Sequence, residues 1–257
     1  MITSFDSIKN LFNEIDSVLK TNTNIYVIGG AALMFSKLKG FTKDIDLIAK
    51  TKSDYDSFMG AIKELGFKDT VLTVGAYMLN ISTTQGRGEA RIDLFLERVC
   101  GKMHLSDNMV ERSSSIFKGN KLGIFVCSKE DIFLFKSITM RDGDVQDCGE
   151  LIKSGLNWKI ISNEMDYQLK FGEQIWLTHI NERFIELEKK GFNIPIIKEV
   201  EKRAEDWIND NLDKSKIGDT HKSDLPKAKT NLDKKLDEIA KKTMRDYKQV
   251  FKKLEKY

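Results

Sequence analysis

The sequence predicts a mixed α/β fold, a mixed β-sheet flanked by helices and followed by a helical C-terminal domain. Three observations carry that expectation. Short β-type runs alternate with helical stretches as far as Cys127. From Lys129 onward the apolar spacing is helical nearly throughout, broken at Pro195 and at Lys214–Pro226. An apolar share of 40% in 257 residues is enough to build a real core. The expected organisation is an α/β domain at 1–127 and a helical domain at 128–213. A linker and a basic amphipathic helix follow at 214–257.

Taken in order, Phe5, Ile8, Leu11, Phe12, Ile15, Val18 and Leu19 recur at steps that mark a helix over 3–20. Ile25–Ile28 is a short β run stopped by Gly29-Gly30, and Ala31–Leu38 reads as helix. Asp44–Ala49 alternates as a strand does. A helix over Ser53–Leu65 carries Tyr55, Phe58, Ile62 and Leu65 on one side and ends at Gly66. Val71–Val74, Tyr77–Ser82, Arg91–Glu97 and Leu122–Cys127 are further strand candidates, with Gly86–Glu89 as a hairpin turn.

Charged residues make up 32% of the chain and the net charge is only +3. The basic excess sits at the end, where 222–257 holds twelve Lys and Arg against six Asp and Glu. Such a segment suits an anionic partner, and equally a solvated lysine-rich helix. No apolar run reaches the roughly 18 residues of a membrane span, and Met1–Asp6 has no signal-peptide pattern. Three scattered cysteines exclude a disulfide framework or a CxxC zinc site. A cytoplasmic protein without membrane contact is expected.

The chemistry is concentrated in Asp44-Ile45-Asp46-Leu47 and Arg91-Ile92-Asp93-Leu94. On a strand, alternate side chains share a face, so Asp44 and Asp46 point together while Ile45 and Leu47 enter the core. Two carboxylates aimed at one point repel each other and resist ionisation unless a cation lies between them. If the two strands pair, Asp93 adds a third carboxylate. Hard oxygen donors of this kind suit Mg2+, with Mn2+ as the alternative. Gly29-Gly30, where a strand passes into a helix, lets backbone amides approach a phosphate closely. Taken singly, a Gly-Gly turn is more often only a turn, and an Asp-x-Asp more often a solvated edge. Their order along the chain is the specific signal.

That order, Ile25–Leu33, then Thr42–Leu47, then Ile92–Leu94, resembles the nucleotidyltransferase superfamily of DNA polymerase β-like fold. Within it the likeness is to AbiEii-like toxins and related stand-alone proteins, in which Gly-Gly-x-Ala-Leu precedes Ser/Thr-x-Asp-Ile-Asp. The resemblance continues into a lysine-bearing helix, Asp131–Lys136, and an Arg-x-x-Asp-x-x-Asp segment from Arg141 through Asp144 to Asp147. It implies a two-ion Mg2+ site on Asp44, Asp46 and Asp93, with Lys136 as a further catalytic residue. It also implies nucleotide contacts from Gly29, Gly30, Thr42, Lys136, Arg141, Asp144 and Asp147. The implied reaction moves a nucleoside monophosphate from an NTP to a hydroxyl and releases pyrophosphate. The implied acceptor is RNA such as tRNA, with an antitoxin protein as partner if the chain is a toxin. A small-molecule or protein acceptor, or a non-catalytic nucleotide- or RNA-binding scaffold, are the alternatives. Without the resemblance, Arg141, Asp144 and Asp147 read as surface partners on a helix.

Overall fold

The computed structural model describes residues 5–70, 83–139, 141–172 and 174–218. The strands expected at Val71–Val74 and Tyr77–Ser82, and nearly all of the basic C-terminal segment, lie outside these residues. The described residues up to Ile208 belong to one compact unit, and a second unit begins at Asn209.

Helix α1 (Phe5–Val18) buries Ile8, Leu11, Phe12 and Ile15, as its apolar spacing requires. Strand β1 (Thr23–Val27) leads into α2 (Gly29–Phe35), which starts at the glycine pair itself. β2 (Ile45–Ala49) is followed by α3 (Lys52–Glu64), whose Thr51 side chain caps the Asp54 N–H. After the short β3 (Lys68–Asp69), β4 (Thr83–Arg87) and β5 (Ala90–Leu96) form the hairpin that Gly86–Glu89 announces. Next come the two-residue strands β6 (Arg98–Val99) and β7 (Met103–His104), then α4 (Asp107–Arg112), β8 (Ser114–Lys118) and β9 (Leu122–Val126).

Among the described residues seven strands form one mixed sheet in the order β3-β4-β5-β2-β1-β9-β8. β1 runs antiparallel to β2 and parallel to β9, while β2 and β5 are parallel. The last pairing fixes the site, because its register sets Ile45 against Ile92, Asp46 against Asp93 and Leu47 against Leu94. Ile45, Leu47, Ile92 and Leu94 are fully buried and dictate that register. A slip of one residue would carry the carboxylates into the core.

Helices α5 (Lys129–Ser137), α6 (Asp142–Lys153), α7 (Trp158–Gln168) and α8 (Trp176–Lys189) follow, then α9 (Ile197–Gly218). All of α5 after Lys129 is buried, so it is the axis of this bundle. It packs on α6, α7 and α8, and it also touches α2. Phe133, Trp158 and Phe184 form an aromatic cluster with centroids 5.6–6.3 Å apart. Arg112 ties the buried carboxylates of Asp131 and Glu164 together at 2.6 Å each. One detail departs from expectation: Lys214–Gly218, read from sequence as the start of a linker, continues α9. Polar residues of fair helix propensity extend an existing helix without apolar anchors.

The far edge of the sheet is stapled to α1. The Asp16 carboxylate accepts backbone N–H bonds from Asn120, Lys121 and Leu122 at 2.7–2.8 Å. Burial pushes its pKa up, but these donors outweigh burial and hold it below the ordinary 3.8. Asp16→Ala is expected to cost about 1–2 kcal/mol at pH 7, for the donors left without a fixed partner. Because the folded-state pKa is the lower one, the gap in Tm between wild type and variant should narrow as pH falls below 4.

Candidate active site

Asp46 is held against the β1–α2 turn. The Ile28 N–H donates to the Asp46 carbonyl at 2.9 Å, and Gly29 takes φ +62° directly over the side chain. A Cβ on Gly29 would lie 1.9 Å from Asp46 Oδ2, and one on Gly30 would lie 2.6 Å from Thr42 Oγ1. Both glycines are therefore needed to seat side chains that come from the β2 end of the chain. The Thr42 hydroxyl donates to the Asp44 carbonyl at 2.9 Å and shapes the approach to β2.

Asp93 is 2% exposed, and Arg91, two residues earlier on the same face of β5, grips it with two bonds of 3.0–3.1 Å. Burial raises the pKa of Asp93 against the pull of that arginine. The Asp46 carboxyl is pushed up to about 7, first by burial and then by the charges of Asp44 and Asp93. Among the described residues no three His, Cys, Asp or Glu converge as a ready-made metal cage. Carboxylate oxygens of this kind nevertheless fit a hard divalent cation, and on Asp46 burial and the charges of Asp44 and Asp93 outweigh the pull of Arg141 and Lys136.

The helical region closes the other side. Ile28, Gly29, Asp46, Lys136, Thr139 and Arg141 line one cleft, whose remaining wall is Phe95, Val99, Cys100 and Phe135. Lys136 is buried, and its ammonium lies 2.7 Å from Asp144 and 2.8 Å from Asp147. Burial opposes its charge, but the two aspartates outweigh burial and raise its pKa. Asp144 is pushed up by burial and pulled the other way by Lys136 and Arg141, which hold it well below the usual carboxylate range. Thr139 also donates to Asp144, and Arg183 braces the segment from behind through the Thr139 carbonyl at 2.7 Å. These groups are not the surface helix pairs that their spacing alone suggests. The Cys100 thiol is pushed up to about 11 by burial, which favours its protonated form.

The profile of the family described as "Nucleotidyltransferase of unknown function (DUF6036)" matches residues 6–174. The chain belongs to this nucleotidyltransferase family. The match takes in the β2–β5 carboxylates, the Gly29 turn and the α5–α6 ion cluster. No curated protein matches the sequence. Among solved structures, ANT(2'')-Ia in complex with adenylyl-2''-tobramycin aligns at 11% identity and a TM-score of 0.42. That alignment covers 65% of this chain and 99% of the other. The solution structure of the antibiotic-resistance factor ANT(2'')-Ia gives the same identity and score, covering 73% and 98%. A likeness at that distance says nothing of what this nucleotidyltransferase acts on.

The structure gathers Gly29, Asp46, Lys136 and Arg141 at one cleft, with Asp144 and Asp147 directly behind Lys136. It sets Gly30 against Thr42, and Asp93 beside Asp46 but turned to Arg91. Sequence reasoning missed Arg91 as a member of the site, although its two-residue spacing from Asp93 places both on one face of a strand. It also missed Lys39, which bonds both oxygens of Asp147 at 3.0 Å.

Proposed function

We propose that this nucleotidyltransferase moves a nucleoside monophosphate from an NTP to an acceptor hydroxyl and releases pyrophosphate. The observation that carries the reading is the in-register pair Asp46 and Asp93 on adjacent parallel strands, with Gly29 pressed on the first. In the reaction the acceptor oxygen attacks the α-phosphorus and the bond to the β-phosphate oxygen breaks. Asp93 takes up the acceptor's proton. Mg2+ held by Asp44, Asp46 and Asp93 would supply the charge that neutralises the phosphates. Lys136 and Arg141 make the opposite wall of the cleft positive. The helices of 128–213 complete the site by carrying that wall.

The acceptor we favour is RNA, supported by the twelve Lys and Arg of 222–257. A place in a toxin–antitoxin pair belongs to the same reading and rests on the AbiEii-like spacing around Gly29 and Asp44. Incubation with each labelled NTP, Mg2+ and total tRNA tests it. The wild type should label tRNA, and the Asp44→Ala/Asp46→Ala double variant should not. Label on a small molecule or a protein instead would overturn the RNA acceptor and keep the transferase. No label anywhere, together with no NTP binding, would leave a non-catalytic scaffold.

A further inference from the structure

Lys136 and Arg141 line the cleft beside Asp46, and Lys39 stands outside that lining but joins them through a shared carboxylate. Lys136, Arg141 and Lys39 share Asp144 and Asp147, three positive groups over two negative ones. Lys136 has only 5% of its side chain exposed, and its ammonium is taken by both aspartates. Lys39 is different. It is 32% exposed and donates twice to Asp147, and an ammonium has three donors. Its Nζ stands 4.0 Å from the point where a Cβ on Gly30 would be, and Thr42 Oγ1 is 2.6 Å from the same point. Gly30 directly follows Gly29, which sits on Asp46.

Resting on the nucleotidyl-transfer reading above, we propose that Lys39 is a phosphate-binding residue of this site, contacting the polyphosphate of the bound nucleotide. Asp147 aims the ammonium across the Gly30 turn, and Lys136 behind Asp147 keeps that carboxylate in place. A polyphosphate lying along the turn from Asp46 would present its oxygens to the side of Lys39 that Asp147 leaves open. Arg141, 50% exposed at the other end of the cluster, is the second accessible cation.

Calorimetric binding of inorganic tripolyphosphate with Mg2+ tests the assignment, using the full chain. Lys39→Met should weaken binding about tenfold, as expected for a lost charge-assisted bond to phosphate. Lys39→Arg should restore affinity to within about threefold, since it keeps the charge. The melting temperature of each variant is read in parallel. Equal affinity of wild type and Lys39→Met would overturn the proposal, and so would Lys39→Arg binding as weakly as Lys39→Met while melting like wild type. If Lys39→Met does not fold, Lys39→Gln, which also removes the charge, takes its place in the same comparison. Wild type that binds neither tripolyphosphate nor NTP sinks the transfer reading itself. Wild type that binds NTP, with affinity indifferent to residue 39, sinks only the role of Lys39.

Discussion

Asp46→Asn is expected to abolish transfer while stabilising the metal-free protein at neutral pH. The loss of activity should reach about a thousandfold, the scale seen when a preorganised charged group is removed from the reacting centre. The gain in stability follows from linkage. The folded protein holds the Asp46 proton up to about pH 7, whereas the unfolded chain releases it near 3.8. Between those values the unfolded state binds fewer protons, so wild-type stability falls as pH rises through that window. An asparagine escapes this cost. At pH 8 without metal the variant should melt above wild type by the equivalent of about 1–2 kcal/mol, a figure kept small because water reaches part of the carboxylate. The difference should vanish toward pH 4. Added Mg2+ should raise the melting temperature of wild type more at pH 8 than at pH 5.5, and should do little for the variant. A wild type indifferent to Mg2+ at both pH values would remove the metal from the account of this carboxylate cluster.

Asp144→Ala is expected to be the most damaging substitution for stability. Asp144 is the common partner of Lys136 at 2.7 Å, Arg141 at 2.8 Å and Thr139. Removing it leaves the buried ammonium of Lys136 on Asp147 alone. Breaking one side of a buried pair costs about 3–5 kcal/mol, which for a unit of this size is a fall in Tm of about 10 °C. The folded-state pKa of Asp144 is depressed, so its contribution is complete above pH 4 and is lost only as pH falls through the lower, folded value. Denaturant unfolding at pH 7 and pH 5 should therefore give the same deficit. The double variant Asp144→Ala/Lys136→Met should recover part of it, because the stranded charge has gone. A double variant no more stable than the single one would mean that the cost lies in packing.

The carboxylate side of the site was readable because strands alternate. Asp46 and Asp93 stand in register among Ile45, Leu47, Ile92 and Leu94, and burial of the apolar set leaves these two acids one face to occupy, while Asp44 falls one residue before β2. The helical side was not readable from spacing. Arg141, Asp144 and Asp147 have the i,i+3 pattern of solvated surface pairs, and only tertiary packing makes two of them buried partners of Lys136. The resemblance singled out the segment, and the structure adds that Asp144 and Asp147 are buried while Arg141 is half exposed. Lys39 had no signal at all, since it lies between helix and strand and meets Asp147 across 108 positions. The need for Gly29 was visible as a turn, while its close contact with Asp46 depends on where β2 docks.

The pairing of β1 with β9 joins distant parts of the chain. These strands lie side by side and parallel, yet about a hundred residues separate them. Contacts so distant in sequence close late and slowly, because the entropy of the intervening loop is lost before they form. A ribosome-bound chain can pair β2 with β5 once residue 96 has emerged. It cannot place β9 until residue 126 is available, nor complete α5 and α6 behind it until residue 153. The acidic strands are therefore complete before the basic wall that faces them, and no fragment ending before Arg141 contains both halves of the cleft.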